Sequence, residues 1–109
     1  MTILKLREQH VVVQTPFCGQ LREVLQGTDY PTLGIAIAVD IRPTVPHFHR
    51  GFDEIYFMME GDLTIQLHDP ADGRTWEQKL GENELCVITR GVHHGVKSAS
   101  RRNRLCAIC

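Results

Sequence analysis

Residues 46 to 54 read PHFHRGFDE, with His47 and His49 two positions apart and Glu54 five positions further on. On a strand, residues two apart point to one face. Two imidazoles placed there could converge on a single ion at metal–nitrogen distances of about 2.0–2.1 Å. Glu54 lies past a turn containing Gly51, where a chain reversal would return its carboxylate to the same point. Such a pair of histidines also occurs without any ligand. The later stretch TRGVHHGVKS, Thr89 to Ser98, supplies a further histidine behind a glycine turn. Three ring nitrogens and one carboxylate oxygen leave open positions on a six-coordinate ion. Alternation lets only one of His93 and His94 point inward, and Asp53 competes with Glu54. His10 and His68 have no partner by spacing and read as exposed or hydrogen-bonded histidines.

The elements that must position these groups are strands. Turn residues punctuate short runs rich in β-branched and aromatic residues: 11–14, 20–26, 33–41, 54–61, 63–68, 74–80, 84–89, 94–100 and 104–109. DPADG at 69–73 has the residues of a hairpin turn, and EGD at 60–62 and LGEN at 80–83 read as tight turns. This spacing predicts an all-β sandwich or small barrel, with residues 1–109 as one domain. In the segment 33–41, Leu33, Ile35, Ile37, Val39 and Ile41 share a bulky face, expected to serve the core. Gly34, Ala36 and Ala38 share a small face, against which another backbone could pack. The strand from Glu54 is apolar on both sides, so its outer face needs cover from the N-terminal segment or a second subunit. A homodimer is the expectation.

Composition excludes several classes. Twelve basic and thirteen acidic residues leave a net charge of −1, which attracts no polyanion, so nucleic acid is not an expected partner. The longest apolar run, Leu33 to Val39, is too short for a membrane helix, and no signal peptide is visible; a cytoplasmic location is the default expectation. Cys18, Cys86, Cys106 and Cys109 read as buried small hydrophobes in a reducing compartment. A strand places Cys106 and Cys109 on opposite faces. The run SRRNR at 100–104 reads as a polar turn before the last strand.

The run from His47 to Gly61 resembles the first motif of the cupin family: His-x-His, four residues, Glu, six residues, Gly. The run from Gly81 to His94 is similar to the second motif through Gly81, Gly91 and His94. Ile41, Thr89 and Ser98 depart from the family's usual glycine, proline and asparagine. The resemblance implies a cupin-type double-stranded β-helix, or jelly-roll barrel, with a metal inside held by His47, His49, Glu54 and His94. The implied cofactor is one divalent transition metal ion of the Fe, Mn, Ni, Co, Cu or Zn group.

Alternation from those four residues predicts the pocket. Val45 should share the face of the two histidines, Tyr56 and Met58 that of Glu54, and Val96 and Ser98 that of His94. Tyr56 is the one internal acid–base candidate, although an unperturbed phenol is a poor base at neutral pH. The expected ligand is a small, partly apolar organic molecule. The function expected is that of a metal-dependent dioxygenase or a related lyase or isomerase. A non-catalytic binding or sensor protein with a structural metal is the alternative.

Overall fold

The computed structural model describes residues 3–8, 13–15, 19–26 and 28–109. His10 and Cys18 lie outside them. Nine strands are described: β1 (Val13–Thr15), β2 (Gly19–Leu25), β3 (Ile35–Val39), β4 (Glu54–Glu60), β5 (Leu63–Asp69), β6 (Arg74–Leu80), β7 (Leu85–Ile88), β8 (His93–Ala99) and β9 (Arg104–Ile108). They form a six-stranded sheet in the order β1-β2-β3-β9-β4-β7 and a three-stranded sheet in the order β6-β5-β8, with every pairing antiparallel. No described helix is long and apolar enough to cross a membrane.

The turns form where the sequence permits unusual backbone. Gly73 closes the β5–β6 hairpin with φ 74°, and its N–H donates to the Asp69 carbonyl at 2.9 Å. Gly61, between β4 and β5, has φ 78°. A Cβ there would lie 2.3 Å from both the Arg102 carbonyl oxygen and Ser100 Oγ, so sterics as well as dihedral demand glycine. Met58, Leu63 and Ile65 are fully buried between the sheets. Each contributes about 1.5–3 kcal/mol through burial.

The register settles which faces look inward. Ala36 pairs with Ala107 and Ala107 with Tyr56; Ala38 pairs with Leu105 and Leu105 with Met58. The small face of β3 therefore lines the interior. The bulky face, expected to serve the core, lies on the other side of the sheet: Ile35 and Ile37 share it with Ile108, Cys106, Ile55 and Phe57, although Ile37 is still buried at 8% exposure. Ile41 escapes this reversal. Asp40 sits at φ 51° and turns the chain, so Ile41 enters the core at 2% exposure. Buried Asn103 holds that turn, accepting from the Ile41 N–H at 2.8 Å and donating to its carbonyl at 3.1 Å.

The outer face is covered unevenly. On the β2–β3 side, Leu4 and Leu6 line a groove with Val24, Leu25 and Ile35. Glu8 there accepts from Arg22 and Arg104, and these contacts hold its carboxyl below the usual range against the opposing effect of burial. At the far side Leu85 and Val87 of β7 are each 55% exposed.

Candidate metal centre

Two irregularities aim the site. The segment 44–47 runs beside β8. The His47 N–H donates to the His94 carbonyl at 2.9 Å and the His94 N–H to the His47 carbonyl at 2.8 Å. Two residues along β8, the Thr44 N–H reaches the Val96 carbonyl at 3.0 Å. Two residues, Val45 and Pro46, thus oppose one, Gly95, and Pro46 packs over Gly95, where a Cβ would meet it at 3.1 Å. His49 lies outside any strand, although its carbonyl still accepts from the Gly91 N–H at 2.7 Å. The expected regular strand through both histidines is therefore reduced to a single bridge at His47.

The fold nonetheless brings His47, His49, Glu54 and His94 together, with one candidate ligand atom from each lying within 4.8 Å of all the others. An ion with bonds of about 2.0–2.2 Å holds its donors roughly 3–4.4 Å apart, so little adjustment is needed. Glu54 and His94 are buried, at 7% and 1% exposure. The His47 ring centroid lies 4.2 Å from that of His94 and 4.9 Å from that of His49.

The hydrogen bonds show what belongs between them. His94 Nδ1 lies 3.1 Å from the Val92 carbonyl oxygen, which only accepts, so Nδ1 carries a hydrogen. In the neutral ring this leaves a lone pair on Nε2, which faces Glu54 Oε1 at 3.1 Å. Two lone pairs that close repel unless a proton or a metal ion is shared between them. His49 Nε2 lies 3.5 Å from the same oxygen and is buried with no hydrogen-bond partner among the described residues. The donor set fits a metal ion, and the Val92 carbonyl does what an outer-shell acceptor does for a liganding histidine: it fixes tautomer and ring orientation.

Electrostatics agree. Burial, then the neighbouring charges of His94 and His49, push the His47 pKa down from 6.5 to about 4, so its ring is neutral at neutral pH as a ligand must be. Burial alone would raise the Glu54 pKa. The hydrogen bond from His94, the charges of His49 and His94 and a hydrogen bond from Tyr56 outweigh it, and the carboxyl sits below its usual range.

The remaining expected site residues divide. Tyr56 is 5% exposed and its phenol bonds to Glu54, which makes it an orienting group. Met58 and Val96 share the interior with the site but belong to the packed core. Val45 does not join the pocket: the extra residue opposite β8 turns it out, to 54% exposure. Ser98 also faces out. Thr64 pairs with Ser98 and Ile65 with Val96, so Lys97 is an inserted residue and the face switches there. His93 points away from the centre and stacks on Phe48 at 4.6 Å, and His68 Nδ1 meets Thr75 Oγ1 at 2.9 Å. Trp76 lies under the Arg74 guanidinium, 4.0 Å from the ring centroid.

Three residues at the site carry no sequence signal. Phe52 stacks on His49 at 4.4 Å. Glu23 and Cys109 line a cavity of about 130 Å³ with Glu54, Ala36 and Ala107. Cys106 and Cys109 do face opposite ways, but Cys109 is exposed and Cys106 only half-buried, against the expectation of buried hydrophobes.

No family model and no curated protein matches the sequence. Solved structures do. A cupin-2 domain protein from Shewanella frigidimarina is 25% identical with a TM-score of 0.56, covering 71% of this chain and 69% of that one. An oxalate decarboxylase from Bacillus subtilis, studied for its Mn(II) centres, gives 17% identity and a TM-score of 0.75, covering 99% of this chain. A structure of FeII HppE gives 17% identity and a TM-score of 0.66, covering 82%. This chain spans 30% of the former's length and 48% of the latter's. All three likenesses place the described strands in one class: the chain has the cupin fold, with a three-histidine, one-glutamate cluster inside it. Metal-dependent proteins are among those it resembles.

Proposed function

We propose that this protein is a metal-dependent enzyme, a dioxygenase or a related lyase or isomerase, acting on a small organic molecule at His47, His49, Glu54 and His94. One observation carries the reading: two imidazole nitrogens, His94 Nε2 and His49 Nε2, are aimed at a single carboxylate oxygen of Glu54. When bound, a divalent transition metal ion supplies Lewis-acid polarisation of a substrate oxygen or, if redox active, a meeting point for substrate and O₂. The chain's own residues do the rest. His47 stays neutral, the Val92 carbonyl orients His94, and the Tyr56 phenol steadies Glu54. The apolar interior limits water.

The engagement of Tyr56 with Glu54 leaves no spare acid–base group on the inner face of β4, which favours the second reading, a non-catalytic ligand-binding protein with a structural metal. Elemental analysis of the purified protein, followed by oxygen uptake and product assays over small enols, diols and thiols, separates the two. Bound metal with turnover supports the enzyme; bound metal with ligand affinity and no turnover supports the second reading. Protein that neither contains nor takes up metal overturns both. The proposal extends to a homodimer in which a second copy covers Leu85 and Val87.

A further inference from the structure

The cavity beside Glu54 has a charge pattern that bears on what it takes. Its walls are small and apolar, with Ala36 and Ala107 paired across β3 and β9 and Leu21 beside them. At about 130 Å³ it approaches the ~150 Å³ cavity that admits benzene. A second hollow of about 380 Å³, edged by Phe52, Gly51 and Pro31, adjoins it at Gly34 and Cys109.

The charged side chains lining this space are both acidic. Glu54 shares its charge with His49 and His94. Glu23 is half-buried and forms no ion pair among the described residues. Its neighbour Arg22 pairs across the sheet with Ile37 of the outer face and is bound to Glu8. Cys109 lines the same space as both carboxylates. Among the described residues, no arginine, lysine or histidine lines it. A negative charge entering here would meet Glu23 and Glu54, whereas a cation would be attracted to Glu23.

We infer that this cavity is a subsite for a small primary amine, its ammonium group on the Glu23 carboxylate and its apolar body against Ala36 and Ala107. This deepens the proposed function by naming the substrate class, and it rests on that reading only for its link to chemistry. The subsite selects against carboxylate substrates, and Glu23 is its specificity-determining residue.

The test uses three probes with one carbon skeleton: isobutylamine, isobutanol and isobutyrate. Each is titrated into the metal-free and metal-loaded protein by NMR, with metal stoichiometry measured on the same preparations. Isobutylamine is expected to bind most tightly and isobutyrate least, with shifts at Ala36 and Ala107. Glu23→Gln should weaken the amine at least tenfold and leave the alcohol unchanged. Ala36→Leu should abolish binding of all three. Isobutyrate binding as tightly as the amine, unchanged amine affinity in Glu23→Gln, or binding that survives Ala36→Leu would each overturn the inference. Metal uptake without amine binding removes this inference alone; amine binding without metal uptake removes the enzyme reading alone.

Discussion

The two faces of the six-stranded sheet hold opposite kinds of side chain. Inside, Ala36, Ala38 and Ala107 leave room beside Glu54 and Tyr56. Outside, Ile35, Ile37, Ile55, Phe57, Leu85 and Val87 carry the bulk. In an ordinary sandwich the large apolar side chains fill the interior. Here the inner face stays small where a cavity reaches the ligand cluster, and the opposite sheet supplies much of the packing through Leu63, Ile65 and Leu67. The outer face takes on apolar area, which the described N-terminal residues border on the β2–β3 side.

The largest effect should come from the inner face's polar cluster. His94→Ala removes the one ligand candidate that is both fully buried and oriented by a backbone carbonyl. Metal affinity, measured by calorimetric titration, should fall by more than about 100-fold, beyond the loss usual for outer-shell partners. A fall under tenfold would mean that the four residues do not share an ion.

Two alanines on the same strand then test whether the inner face holds space or packing. Ala38 is 1% exposed and sits in the core, so Ala38→Leu should cost about 1–3 kcal/mol in urea unfolding. Ala36 borders the cavity, so Ala36→Leu should cost less than about 1 kcal/mol there. Equal costs at the two positions would mean that the cavity is closed in solution.

Acid should act next. The folded pKa of His47, about 4, lies below its ordinary 6.5, so between these values the unfolded chain binds the proton more readily. Stability of the metal-free protein is then intact above pH 6.5 and declines as pH falls toward 4. Glu54 adds to this in the same direction: its pKa is lowered, so its contribution is present above the unfolded 4.5 and is lost as pH falls below it. A melting temperature that rises on acidification across this window would contradict the neutral, buried state of His47.

The smallest change in folding is expected on the outer face. Val87→Lys should alter monomer stability by no more than about 0.5 kcal/mol. In light scattering at micromolar concentration the same change should convert a dimer to a monomer. A wild-type protein that is already monomeric would show that the apolar outer face stands without a partner.

Much of the strand order was legible because period-two patterns and turn residues act locally. DPADG, EGD and LGEN each close where their dihedral preferences point. The site was legible where its residues lie on regular backbone: Glu54, Tyr56 and Met58 alternate as expected along β4. It was not legible past the inserted residues. Val45 and Ser98 were placed by alternation, and one extra residue in each pairing turned them out to solvent.

Sequence alone determined the all-β character and the turn positions, because those follow from dihedral preferences and short-range periodicity; the set His47, His49, Glu54 and His94 came from the resemblance to the cupin motifs. Only the tertiary structure decided which face of β3 looks inward, where Lys97 breaks register, and that Glu23 and Cys109 join Glu54 around one cavity. Those outcomes depend on hydrogen-bond pairing between strands as far apart in the chain as β3 and β9, which no local pattern encodes.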